Sequence, residues 1–286
     1  MTYREIVDGI KSLQIQGAEK IALAAVEAFA LKLKETQDEA ALKTAALELT
    51  DTRPTEPALR NALKYCLQNY KTNPDVAAFV INYFKEAKAK IAEFGAKKIT
   101  DGMIVFTHCH SGTVEAICIK AKEQGKNFTV YNTETRPKFQ GRITAENIAK
   151  AGIPVVHFVD SAGRTFMKKA NIFLFGCDAL SSDGKIYNKV GTESLASFAN
   201  ENEISSYSCT NSWKMDPQTV TGFEEMIEER SPDEVWDNPP AGITIKNPAF
   251  DLVRPDLVTG TITELGIYKP ETLILEVQKA YPWMFI

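Results

Sequence analysis

Met103-Ile104-Val105-Phe106-Thr107-His108-Cys109-His110-Ser111-Gly112 is an apolar run that breaks into a polar turn and then into a helical pattern. A short apolar run without polar alternation reads as a strand covered on both faces. Ser111-Gly112 reads as the start of a helix, so Cys109 sits at a strand-to-helix turn. The partial positive charge of a helix N-terminus favours thiolate over thiol there. In a doubly wound sheet, that carboxyl edge is also where ligands bind.

Outward from this stretch, the same grammar repeats. Apolar runs at Met103–Phe106, Phe128–Tyr131, Pro154–Val159, Ile172–Phe175 and Ile204–Ser208 are separated by helical patterns at Thr113–Glu123, Thr144–Lys150 and Thr192–Asn200. Thr144 reads as an N-cap, and Gly152 and Pro154 as stop signals. Strand–helix alternation at this spacing predicts a parallel, right-handed, Rossmann-like α/β domain over residues 99–286. Residues 1–98 read as a helical N-terminal domain. Its helices are expected at Ala18–Lys34, apolar nearly all round and hence buried, and at Glu39–Leu49, Glu56–Tyr70 and Asp75–Ala92. Pro57 suits a first-turn position.

Composition narrows the function classes. The 286 residues, 44% hydrophobic and 24% charged, carry a net charge of −4, which gives no general reason to expect nucleic acid or an anionic membrane as partner. The longest apolar-rich stretch, Ile21 to Leu33, is too short to span a bilayer. Met1-Thr2-Tyr3-Arg4-Glu5 is no signal peptide, and five cysteines without a CxxC pair suit reduced thiols, so the expected location is the cytoplasm. Cys66 and Cys118 fall within helical patterns and read as small core hydrophobes. The apolar segment Ala280-Tyr281-Pro282-Trp283-Met284-Phe285-Ile286 is expected to be covered, with a subunit boundary as one candidate cover.

A parallel sheet gathers its carboxyl-edge turns into one crevice, and these turns are rich in chemistry. Asp178 follows the apolar Ile172–Phe175 run, so burial should raise its pKa and let it act as an acid at neutral pH. Its alternative is a turn or N-cap aspartate beside Ser181-Ser182-Asp183. Asn188-Lys189-Val190-Gly191-Thr192 offers free amides, a lysine and a glycine to a phosphate, or is simply a solvated helix start. Arg136 is a bidentate phosphate ligand or a bridge between elements, and Arg53 a phosphate clamp or an interdomain ion pair. His108-Cys109-His110 invites a metal reading, but alternation sets the histidines opposite Cys109 and nothing nearby has zinc spacing. His157 reads as a core or pairing residue.

Together these motifs resemble the superfamily of methylthioribose-1-phosphate isomerases, archaeal ribose-1,5-bisphosphate isomerases and the regulatory subunits of translation initiation factor 2B. The resemblance covers nearly the whole chain. It rests on Gln16-Gly17-Ala18, Arg53-Pro54-Thr55, Thr107-His108-Cys109, Glu134-Thr135-Arg136-Pro137 with Gln140-Gly141, Asp160-Ser161, Gly176-Cys177-Asp178, Asn188-Lys189-Val190-Gly191-Thr192 and Asn247-Pro248-Ala249-Phe250-Asp251. It implies Cys109 and Asp178 as the catalytic pair, with Gly17, Ala18, Arg53, Arg136, Asn188, Lys189 and Lys214 holding substrate. Lys214, in Ser212-Trp213-Lys214-Met215, resembles the bisphosphate isomerases and initiation-factor subunits, while the methylthioribose enzymes differ there.

The implied activity is aldose–ketose isomerisation of a phosphorylated pentose, ribose-1,5-bisphosphate first, with no metal or redox cofactor required. The implied assembly is a homodimer or higher homo-oligomer. Gln16 departs from the arginine usual in the isomerases, a loss worth roughly 1.5–3 kcal/mol if that arginine meets a phosphate. It motivates the alternative of a regulatory subunit that binds a sugar phosphate or nucleotide and docks on initiation factor 2. The retained Cys109 and Asp178 favour the enzyme.

Overall fold

The computed structural model describes every residue except Glu225. Helices come first: α1 (Tyr3–Lys11), α2 (Ala18–Glu35), α3 (Glu39–Thr50), α4 (Pro57–Asn69) and α5 (Val76–Ala96). Thr2 and Glu5 form a capping box that starts α1, a short helix the sequence reading passed over. Pro57 occupies the first turn of α4, where its missing N–H costs nothing. α2 buries residues on most of its circumference, from Ile21 to Phe29, as its all-round apolar pattern requires.

The α/β part then runs β1 (Ile104–Thr107), α6 (Gly112–Glu123), β2 (Thr129–Thr133), α7 (Gln140–Lys150), β3 (Val155–Phe158), α8 (Gly163–Met167), β4 (Ile172–Phe175), β5 (Ala179–Leu180), β6 (Ile186–Lys189), α9 (Thr192–Glu201), β7 (Ser205–Cys209), β8 (Phe250–Val253), β9 (Gly260–Thr263), β10 (Gly266–Tyr268) and α10 (Pro270–Ala280). Among the described residues the main sheet has seven strands in the order β10-β9-β7-β4-β1-β2-β3. All its neighbours pair in parallel except β10, which turns back antiparallel on β9. A small second sheet, β5-β6-β8, is antiparallel and was not legible in the sequence.

Sheet order decides where chemistry can sit. From β1 the chain moves outward through β2 and β3, then returns to lay β4 on the other side of β1. The turns after β1 and β4 therefore diverge at a topological switch point, which opens a crevice at the carboxyl edge. Cys109 follows β1 and Asp178 follows β4.

One apolar core runs from the N-terminal helices to the sheet, joining Ile21, Phe29, Leu59 and Phe84 to Phe106, Phe173 and Trp213. Trp213 is stacked on Tyr83 at 4.0 Å and lies edge-on to Trp283 at 4.9 Å. Met284 is fully buried, and the Lys64 ammonium donates to its carbonyl at 2.9 Å. The apolar Ala280–Ile286 segment thus packs through Met284 on its own chain's α4, while Ile286 stays exposed. Among the described residues, no helix is long and apolar enough to cross a membrane.

Candidate active site

Cys109 lies at φ +66, a left-handed conformation that costs a non-glycine residue energy. Two turns hold it there. Its amide donates to Thr135 Oγ1 at 2.9 Å, and its carbonyl accepts from Thr144 Oγ1 at 3.1 Å. Thr135 is itself at φ +62, and Asp160 fixes it by accepting from the Thr135 and Arg136 amides at 2.8 and 2.7 Å. The Asp160-Ser161 motif thus serves as a brace for the neighbouring turn. Thr144 is not the N-cap of α7, which begins at Gln140 behind Phe139; its hydroxyl is spent on Cys109.

His108 is 2% exposed and its ring is held at both ends, Nδ1 by Thr133 Oγ1 at 2.6 Å and Nε2 by the Val190 carbonyl at 2.9 Å. A carbonyl only accepts, so Nε2 carries the proton and Nδ1 accepts from Thr133. Burial lowers its pKa and keeps it neutral. His110 turns instead to Glu115 at 3.0 Å and Thr144 at 3.2 Å. Among the described residues no three or more His, Cys, Asp and Glu side chains are grouped to hold a metal ion. His157 is exposed on β3 and paired with Asn132 at 2.5 Å, so it is a pairing residue and not a core one.

Ser111 caps α6, accepting from the Val114 amide. The helix start is therefore where the sequence puts it, but the thiol is not an activated thiolate. Burial, followed by the Asp178 charge, pushes Cys109 up to about 12, against the pull of the His110 amide and Lys189. Desolvation outweighs the helix dipole here, because the dipole acts through partial charges while the half-buried thiol has lost most of its water.

Asp178 is half-buried beside β4, and its amide donates to the Tyr187 carbonyl at 2.8 Å. Burial raises its pKa, opposed by Lys214, Arg53 and Lys189. Its carboxyl and the Cys109 sulfur thus share one electrostatic environment. The turn is tight: a Cβ on Gly176 would meet Ser111 Cβ at 3.0 Å and Asn188 Oδ1 at 3.4 Å. Only glycine lets the β1, β4 and β6 turns converge this closely.

Lys189 is 8% exposed, and Lys214 donates its ammonium to the Cys177 carbonyl. Asn188 Nδ2 donates to Thr192 Oγ1 at 2.8 Å. The amides beyond it are not all free, as the sequence suggested. Asp251 Oδ2 accepts from the Gly191 amide at 2.6 Å and the Glu193 amide at 3.2 Å, so a carboxylate from β8 already caps α9.

Arg53 is buried and ion-paired, with Glu228 Oε2 at 2.8 Å and Glu56 Oε1 at 3.4 Å from Nη2. Arg136 presents its guanidinium to the Val235 carbonyl at 3.1 Å and over the Phe139 ring at 5.0 Å. Both arginines are thereby held by the same strap, the segment between β7 and β8 that carries Glu228 and Val235. Gly17, at φ +91, opens α2 on the exposed side, while Ala18 is buried. Glu19 pairs with Lys88 at 2.8 Å, and that ammonium lies 3.3 Å from where a Gly112 Cβ would be, so the starts of α2 and α6 meet. Gln16 is exposed and donates to the Leu13 carbonyl at 2.5 Å.

A model of the Initiation factor 2 subunit family matches residues 14–270. The chain belongs to that family. Its relatives include the ribose 1,5-bisphosphate isomerase of Thermococcus kodakarensis, 38% identical over 98% of this chain and 94% of that one. The methylthioribose-1-phosphate isomerase of Dehalococcoides mccartyi is 33% identical over 94% of this chain and 90% of that one. Among solved structures, the Pyrococcus horikoshii translation initiation factor eIF-2B superposes with a TM-score of 0.85 at 31% identity, covering 95% of this chain and 98% of that one. The initiation-factor family thus spans enzymes and translation factors on one fold.

Sequence reasoning missed Glu56 and Glu228. Glu56 directly follows the Arg53-Pro54-Thr55 motif, and a glutamate at the head of the apolar-faced α4 was a signal available from the start.

Proposed function

We propose that this protein is an aldose–ketose isomerase acting on a phosphorylated ribose, with ribose-1,5-bisphosphate converted to ribulose-1,5-bisphosphate as the favoured reaction. The observation that carries the reading is the half-buried pair of Cys109 and Asp178, on the turns either side of the switch point and beside Lys189 and Lys214. Family members named ribose 1,5-bisphosphate isomerase, matched over nearly the whole chain, support it. Residues 1–98 and 99–286 act as two domains with the cleft between them, where water is kept from the reacting carbons.

The chemistry needs one proton on the pair, held by Asp178. Asp178 protonates the ring oxygen as the C1–O bond opens, and the Cys109 thiolate takes the proton from C2. The C2–H electron pair becomes the C1–C2 double bond of an enol. Cys109 then returns the proton to C1, and Asp178 accepts the O2 proton as the C2 carbonyl forms. Protonating Asp178 removes the negative charge that opposes the Cys109 thiolate, a smaller effect than burial in keeping the free thiol protonated, so the reactive form is a minor one that the substrate draws on. Arg53, Arg136, Lys189, Lys214, Asn188 and the Gly17-Ala18 helix start are the groups we assign to the two phosphates.

Turnover of ribose-1,5-bisphosphate by purified protein tests the reading. Cys109→Ser and Asp178→Asn are each expected to lower kcat by at least about 100-fold, since a positioned acid or base typically contributes that much. Full activity in either variant overturns the assigned roles. We place the enzyme in the cytoplasm, as a homodimer or higher homo-oligomer. The exposed Phe223, Met226, Val235, Trp236 and Ile243 of the strap support the latter.

A second reading, a regulatory subunit that docks on initiation factor 2, is favoured by Gln16, whose side chain satisfies Leu13 instead of adding a cation. Co-purification with that factor and no turnover of any sugar 1-phosphate would reverse the ranking.

A further inference from the structure

Glu56 is a buried carboxylate of the site that the isomerisation chemistry does not use. It is 2% exposed, and its Oε2 is buried without a hydrogen-bond partner. The backbone leaves it little freedom: the Glu56 amide donates to the Arg53 carbonyl at 3.3 Å, and the Glu56 carbonyl accepts from Leu59 at 3.0 Å as α4 begins. It occupies the N-cap position of α4, yet its side chain makes no capping bond. Its Oε1 instead faces Arg53 Nη2 at 3.4 Å, beyond a strong hydrogen bond, while Glu228 Oε2 takes the same nitrogen at 2.8 Å.

A desolvated carboxylate oxygen without a donor is costly unless it carries a proton or meets a ligand. The groups facing Glu56 are Arg53 on its own turn, Asp178 after β4, Lys214 after β7 and Glu228 on the strap. Burial and Asp178 push it up to about 8, against Arg53 and Lys214. The immediate surroundings of Glu56 and Asp178 thus set three carboxyls, Asp178, Glu56 and Glu228, against three cations, Arg53, Lys189 and Lys214. An incoming phosphate adds negative charge to a set that is already balanced when every group is ionised.

We propose that Glu56 is a binding residue of this pocket that couples phosphate affinity to its own protonation: ionised, it competes with a phosphate for the Arg53 guanidinium, and protonated, it yields Arg53 and offers its acid hydrogen to the bound ligand. Where Glu56 is ionised in the free protein, binding of a phosphorylated sugar is then coupled to uptake of one proton from solvent, which resides on the Glu56 carboxyl. Glu228, on the strap side of the same guanidinium, is the acceptor that the phosphate displaces. The inference rests on the sugar-phosphate reading of the site, and its test separates the two.

Calorimetric titration of ribose-1,5-bisphosphate into the Cys109→Ser protein, which binds without turnover, reads both affinity and proton uptake. Measurements run from about pH 6.5 to about pH 9.5, above the second pKa of a phosphate ester at about 6, in two buffers of different ionisation enthalpy. Kd is expected to rise about tenfold per pH unit above about 8, with about one proton taken up per ligand at the alkaline end. Adding Glu56→Gln should flatten the profile, abolish that uptake and tighten binding at alkaline pH. Adding Glu228→Gln should leave the slope in place. Binding that is independent of pH, or a slope that survives Glu56→Gln, overturns the role of Glu56 and leaves the sugar-phosphate reading standing. No binding at any pH in any variant sinks that reading, and the role of Glu56 with it.

Discussion

Gly141→Ala sets helix propensity against backbone packing. Gly141 lies inside α7, where replacing glycine by alanine ordinarily stabilises by about 1 kcal/mol. Here an added Cβ would stand 1.8 Å from the Thr133 carbonyl oxygen and 2.9 Å from its carbon. Carbon and oxygen approach to roughly 3.3 Å without strain, so helix and strand end must part by roughly 1.5 Å. That motion strains the contact between the Gly141 amide and the Glu134 carbonyl at 3.2 Å and the one between Asn132 Nδ2 and the Gly141 carbonyl, also 3.2 Å. Overpacking typically costs about 1–3 kcal/mol and more when the obstacle is backbone.

The net expectation is destabilisation by about 3 kcal/mol, opposite in sign to the propensity argument. Urea unfolding with linear extrapolation measures it. Gly163→Ala is the comparison, because its new Cβ meets only the end of the Leu195 side chain, at 2.6 Å, and should cost roughly 1 kcal/mol. A Gly141→Ala protein as stable as the parent would refute the argument. The displacement should also reach the site, since Thr133 and Thr135 hold His108 and Cys109.

The site supplies two more predictions. Alkylation of Cys109 by iodoacetamide, read by mass spectrometry, should accelerate about tenfold per pH unit well past the ordinary thiol range, because burial and Asp178 hold its pKa up at about 12; a plateau at about 8.5 would contradict this. Asp251→Ala removes the acceptor of two α9 amides and should cost about 2 kcal/mol in thermal or urea unfolding. Its KM should rise more than its kcat falls, because Asn188 and Lys189 pair with Asp251 and Phe250 across β6 and β8.

Five of the seven main-sheet strands, β1, β2, β3, β4 and β7, and the helices α6, α7 and α9 were legible because their signals are local, whereas β9, β10, α8 and α10 were not. Ile172–Phe175 is apolar at every position, and Ser111 is a good cap for the helix behind it. β5, β6 and β8 were not, since strands of two to four residues in an antiparallel ribbon carry too little pattern to separate from loop. The turns that hold Cys109 and Asp178 were placed correctly, but the ionisation of Cys109 was not. Helix-start geometry can be read from Ser111-Gly112, whereas desolvation depends on residues remote in sequence. Asp251 shows the same limit. A motif marks it, yet only the β6–β8 pairing reveals that it fills the amides that look open to an anion. Glu228 escaped notice because it has no chemistry until the fold brings Arg53 to it from 175 positions away.

The bonds that tie the N-terminal helices, Arg53 of the site among them, to the rest of the molecule reach far along the chain. Arg53 and Glu228 are 175 positions apart, Asn61 and the Trp213 carbonyl 152, and Lys64 and the Met284 carbonyl 220. Loop-closure entropy delays such long-range contacts until most of the chain has condensed. No early fragment of the polypeptide can therefore carry a rudimentary pocket, and partial proteolysis or mild denaturant should erase ligand recognition together with cooperative structure instead of ahead of it.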